Sequence, residues 1–93
     1  MGKFELGKTV VSKGVSRRME EHPDFRLFVN ASLERYSKCD WGDTCSEDKE
    51  TANHAVEHGE QILAVYEHGK FPTIWIITEW DRSVTTVLFS EEY

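Results

Sequence analysis

Cys39, Cys45, His54 and His58 lie within twenty residues of one another in the order C-x5-C-x8-H-x3-H, the densest gathering of transition-metal donors in the chain. Two thiolates and two imidazoles make the donor set of a closed tetrahedral zinc site. Histidines four residues apart project from one face of a helix, so His54 and His58 can address a single ion. The thiols precede that helix in the loop CDWGDTC, which can fold back over the first helical turn. The expectation is a structural zinc held by Cys39, Cys45, His54 and His58. The spacing is wider between the cysteines than a standard zinc finger uses. A small disulfide loop, a pair of buried thiols, or histidines on a solvated helix surface beside Glu57 are the alternatives.

The same histidines belong to the string His54-Ala55-Val56-Glu57-His58, which matches H-x-x-E-H, the inverted zinc-peptidase pattern. In such enzymes both histidines bind zinc and the glutamate activates water. A third protein ligand and an open coordination position are also required, and Cys39 and Cys45 would close that position. Cys45 with His54 would make a nucleophile–base pair, but no orienting group or oxyanion donor can be assigned to it. A small zinc- or Cys-dependent hydrolase is therefore the alternative reading, and a protein without catalytic residues the leading one.

Acidic residues surround the cysteine loop: Asp40, Asp43, Glu47, Asp48 and Glu50, relieved by Lys49. Glu47 and Asp48 fall where a helix begins and its dipole favours carboxylates. The formal net charge is -6, which argues against binding a phosphate backbone and for a basic protein surface as partner. Trp41 and Trp80 fall in loop or turn sequence, and exposed tryptophan is favoured as an interface anchor. Asp40, Trp41, Asp43, Glu47, Asp48, Glu50 and Trp80 are the expected partner-binding residues.

These residues need a scaffold. Ninety-three residues allow one domain, 1–93, with a single core. Hydrophobic residues at 39% and aromatics at 12% suffice to fold it. Phe4, Leu6 and Val10 alternate as in a half-buried strand until Gly14, and Ser16 can cap a short helical turn through Met19. Phe25, Phe28, Val29, Ser32, Leu33 and Tyr36 recur at helical steps, predicting a helix from Pro23 to Ser37. A second helix starts at Ser46 and stops at Gly59. The period then changes to alternation over Ile62–Tyr66, a turn at His68–Lys70, an apolar strand from Thr73 to Thr78, a turn at Asp81–Ser83, and a last strand from Thr85 to Phe89. The expected fold class is α+β: two or three helices packed on a small antiparallel sheet ending in a three-stranded meander. The opening MGKFELGKTVV has no apolar core of signal-peptide length and no stretch approaches a membrane span, so the expected location is the cytoplasm, with no membrane partner.

The segments FELGKTVVSKGV, DWGDTCSEDKE and IWIITEWDRSVTTVLFSEEY resemble a family of small proteins encoded on plasmids and prophages of Gram-positive bacteria. The pattern includes Asp40–Asp43 and Asp81–Ser83 but does not require His54 and His58, so the zinc expectation rests on this sequence alone. The resemblance implies mobile-element biology. In that setting the expected function is inhibition of a host defence nuclease, an anti-CRISPR protein acting on a type II RNA-guided effector by stoichiometric binding. A non-catalytic accessory protein of the element is the remaining possibility.

Overall fold

The computed structural model describes residues 4–93. The Ser12 hydroxyl accepts the Val15 N–H at 3.2 Å and opens helix α1 (Lys13–Glu21), earlier than the Ser16 start expected from sequence. Gly14 falls inside its first turn, where the Glu92 carboxylate is packed against it. Helix α2 (Pro23–Ser37) has the expected bounds, with proline at its start, where no backbone N–H is needed. Helix α3 (Ser46–His58) begins with Glu47 and Asp48 and ends at Gly59, whose φ of 66° makes the left-handed turn that glycine adopts without steric cost.

There are four strands, β1 (Lys8–Val11), β2 (Ile62–His68), β3 (Phe71–Thr78) and β4 (Val84–Phe89), closed by a 3-10 turn at Ser90–Glu92; β2–β4 follow the patterns read from sequence, whereas β1 leaves Phe4 and Leu6 of its expected alternation outside the strand. The last three form the expected antiparallel meander. The sheet as a whole is mixed rather than antiparallel, because β1 runs parallel to β4 in the order β1-β4-β3-β2. Alternation along a single strand is the same in either sense of pairing, so the sequence pattern carried no information on this point.

Register sets the two faces of the sheet. On one face Ala64, Ile76, Val87 and Val11 form one rung, and Tyr66, Ile74 and Phe89 another. Against them pack Val15 of α1, Phe25, Val29 and Tyr36 of α2, and Ala52 and Ala55 of α3, giving one apolar core. Burial of these side chains is the main term holding the fold together, at about 25 cal/mol per Å² of apolar surface. A rung of hydroxyls crosses the same layer. Tyr36 donates to Thr78 at 2.8 Å, Thr78 pairs with Thr85 at 2.7 Å, and Thr85 donates to the Leu6 carbonyl at 2.6 Å. Every buried hydroxyl in this rung thus has a partner, which removes the desolvation cost of an unsatisfied polar group.

Candidate functional site

The loop between α2 and α3 is built from the end of α2 outward. Cys39 has a φ of 64° in the position after the C-cap, where glycine is usual. The Cys39 N–H donates to the Tyr36 carbonyl at 3.0 Å and the Asp40 N–H to the Arg35 carbonyl at 2.9 Å, the paired bonds that close a helix end. Its side chain is partly buried against the core. The Asp40 carboxylate takes Arg35 Nε at 2.9 Å and Arg35 Nη2 at 3.1 Å, and also accepts the Gly42 N–H at 3.1 Å. The Arg35 hydrogen bond, then that from Gly42, hold the Asp40 carboxyl below its ordinary range; the same Asp40 contact raises the Arg35 guanidinium.

The chain then lies along the edge of β2. Tyr66 donates its hydroxyl to the Asp40 carbonyl at 2.7 Å, and burial pushes that phenol well above its ordinary range. Asp43 N–H donates to Val65 O at 2.8 Å, Val65 N–H to Thr44 Oγ1 at 2.8 Å, and Glu67 N–H to Asp43 Oδ2 at 2.9 Å. The loop therefore covers a strand edge that would otherwise present unpaired backbone groups. Trp41 is only 3% exposed, with Nε1 donating to Asn53 Oδ1 at 2.9 Å. Its ring stands edge-on to Tyr36 at 5.4 Å and belongs to the core, not to a partner surface. Asp40 and Asp43 remain solvent-accessible but their carboxylates hold the loop.

The four expected metal ligands are not gathered at one point. Cys45 is the exposed N-cap of α3, and His54 and His58 sit on its last turns. At about 1.5 Å per helical residue, Cys45 stands roughly 13 Å from His54 and 20 Å from His58 along the axis. That rise also keeps Cys45 and His54 from forming a nucleophile–base pair. The expected cysteine loop folds back over the first turn of the helix, whereas the loop runs to β2. Among the described residues no group of three or more His, Cys, Asp or Glu side chains could hold a metal ion. The histidine rings do meet each other, stacked 3.9 Å apart and 11° from parallel.

Glu47, Asp48 and Glu50 are exposed on the first turns of α3, and Trp80, 67% exposed, stands in the β3–β4 turn. These four remain available to a partner. Arg82 ties that turn to α3 through bonds to the carbonyls of Ala55 and Glu60, 2.9 and 2.7 Å long. The Ser83 side chain, then the Ser83 N–H at 3.0 Å, lower the Asp81 carboxyl from its ordinary value. Asp81–Ser83, like Asp40–Asp43, is thus a structural device at this end of the molecule.

The sequence marks the strand Thr73–Thr78 as apolar on both faces, and the register extends that second apolar face to its neighbours. Val65, Trp75 and Leu88 form one rung there, and Leu63, Ile77, Thr86 and Val10 the next. The Tyr93 ring lies 4.9 Å from that of Trp75. The buried apolar side chains of all three helices belong to the core on the opposite face. Antiparallel strands with one face in water alternate apolar and polar residues; these do not. The signal was present in the run Ile74–Ile77, apolar at every position, which fits a central strand but also a sheet whose second face is apolar. At the margin of this face Leu63 shares a shallow groove with Asp48, Thr51, Ala52 and Gln61. The Asp48 carboxylate of α3 thereby borders the apolar rungs.

Among the described residues no helix is long and apolar enough to cross a membrane. Comparison of the chain with protein-family models, with curated proteins and with solved structures gave no match in any of the three.

Proposed function

We propose that this chain is a non-catalytic binding protein that docks on a basic host protein through the half-buried second face of the sheet and the acidic start of α3. The observation that carries this reading is the pair of apolar rungs, Val65–Trp75–Leu88 and Leu63–Ile77–Thr86–Val10, bordered at Leu63 by Asp48 of α3. Apolar surface of this kind favours a protein interface. A rim of Glu47, Asp48 and Glu50 suits a partner whose own surface is built to hold nucleic acid. Trp80 extends the surface at the far end of α3 as an exposed aromatic anchor.

Within this reading the partner is a host defence nuclease met in the cytoplasm, in particular a type II RNA-guided effector whose positively charged channel holds the heteroduplex. The resemblance to mobile-element proteins supports that choice of partner. Inhibition would be stoichiometric, with carboxylates competing for cationic side chains that otherwise contact DNA. The test is cleavage by purified guide-loaded effectors and by restriction enzymes, titrated with the folded protein and with Glu47→Lys, Asp48→Lys and Trp75→Ala variants. Inhibition saturating near equimolar protein, and weakened by each variant, supports the reading. Undiminished cleavage across the panel sinks the nuclease assignment.

A further inference from the structure

We infer that His54 and His58 form a two-histidine chelate for a borderline divalent cation, Zn²⁺ in particular, on the last turns of α3, without either cysteine. The inference is independent of the binding function proposed above. It starts from which ring nitrogen each histidine has committed. His54 Nδ1 lies 3.1 Å from Glu60 Oε1, and His58 Nδ1 lies 2.9 Å from the His54 carbonyl. A carboxylate and a carbonyl oxygen can only accept, so both Nδ1 atoms must carry the proton. In each neutral ring the lone pair is therefore on Nε2, the form in which imidazole ligates a metal. Donation of the other ring N–H to a carboxylate or a backbone carbonyl is also the outer-sphere arrangement found around metal-bound histidines, where it fixes the tautomer and raises ligand basicity. Both partners are in place here, one of each kind.

Position and charge agree with this. The rings are cofacial with centroids 3.9 Å apart, and His54 and His58 are both exposed. Two nitrogens at a tetrahedral ion with Zn–N bonds of about 2.0–2.1 Å stand on the order of 3.4 Å apart; the lone pairs of stacked rings lie in near-parallel planes, so binding requires the two exposed rings to turn out of the stack until both Nε2 atoms face one ion. The C-terminal end of a helix carries partial negative charge, which favours a cation. Glu57 and Glu60 add formal charge on the same stretch. The Arg82 guanidinium, bonded to the carbonyls of Ala55, Glu60, Glu79 and Trp80, offsets part of this charge, and the two carboxylates outnumber it. Two protein nitrogens leave two positions of a tetrahedral ion for water or an outside ligand.

The test is titration of metal-free protein with ZnCl₂ by calorimetry, together with ¹⁵N spectra of the histidine side chains. One Zn²⁺ per chain is expected, with the Nε2 signals of His54 and His58 shifting and those of His22 and His68 unmoved. His54→Ala and His58→Ala should each lower affinity at least tenfold, and Glu60→Gln, which keeps the fold and loses the anionic acceptor, should lower it about tenfold. Cys45→Ser should bind as the parent does. Binding only at millimolar zinc, binding retained in the two alanine variants, or binding lost in Cys45→Ser would each overturn the inference. Circular dichroism on every variant separates loss of the site from loss of the fold.

Discussion

Arg82 Nη2 donates to the Ala55 carbonyl at 2.9 Å, joining the β3–β4 turn to the last turn of a helix twenty-seven positions earlier. The same guanidinium reaches Glu60 O at 2.7 Å through Nη1, so one side chain bonds two carbonyls where α3 ends, that of Ala55 also accepting the N–H groups of Gly59 and Glu60. Arg82 adopts a φ of 60°, an uncommon conformation for a side-chain-bearing residue, and these bonds stabilise it. Replacing Arg82 by Ala keeps the backbone demand and removes the clamp. The expected loss is about 2 kcal/mol, the scale of hydrogen bonds to a charged group, read from urea unfolding. Wild-type stability in that variant would show that the clamp contributes nothing.

Gly42 offers a second test of the loop. Its φ is 62°, and a Cβ added there would run into the Tyr66 ring and lie 2.9 Å from the Val65 carbonyl. Gly42→Ala combines left-handed strain with a clash against the β2 edge, and should cost about 3 kcal/mol. A melting temperature unaltered by the substitution would mean that the loop does not sit on β2 as described.

The hydroxyl rung makes its own prediction. Thr78→Val preserves shape but takes away the acceptor of Tyr36 and the neighbour of Thr85. A loss of about 1 kcal/mol is expected from the missing hydrogen bonds, since the Tyr36 hydroxyl keeps the Ile62 carbonyl at 3.3 Å and Thr85 keeps the Leu6 carbonyl at 2.6 Å. The double variant with Tyr36→Phe should lose less than the sum of the two single losses, because both changes remove the same Tyr36–Thr78 hydrogen bond. Additive losses in the pair would argue against the coupling.

Tyr36 and Tyr66 govern the alkaline limit. Burial raises both phenols above the ordinary value of 10.0. The folded state therefore keeps their protons where the unfolded chain gives them up. Stability from these groups is full below about pH 10 and falls as pH rises beyond it towards the folded values. Phenolate absorbance from the two should appear together with the loss of helical signal, not before it. Ordinary tyrosinate formation in Tyr36 or Tyr66 while the protein is still folded would contradict their burial.

On the acid side, Asp40 sits below its ordinary value of 3.8, with Arg35 the largest cause and Gly42 next. Its contribution is present above that ordinary value and is lost as pH falls through the lower folded value. Both side chains are about half exposed, so the pair is worth at most about 1 kcal/mol. Asp40→Asn should flatten the acid limb of the stability profile by that amount, as followed by urea midpoints between pH 5 and 2.

Local chemistry explains what was legible without coordinates. The bounds of α2 follow from proline at its start and from three- and four-residue apolar steps, and Gly59 stops α3 because glycine adopts φ above zero without steric cost. The meander follows from alternating residues separated by turn residues. None of these properties requires knowing what lies across the fold.

Other features depended on what lies across the fold. Whether Trp41 points out to a partner or into the core was decided by Tyr36 and Asn53, which approach it from two different helices. The two thiols and two imidazoles looked close because sequence distance is short, but a continuous helix converts thirteen residues into roughly 20 Å. The parallel seat of β1 beside β4, the half-buried apolar second face and the clamp of Arg82 on α3 all join residues far apart in the chain. A linear pattern records which side of an element is apolar; only the packed structure decides what that side meets, because long-range pairing is set by the joint burial of all the elements at once.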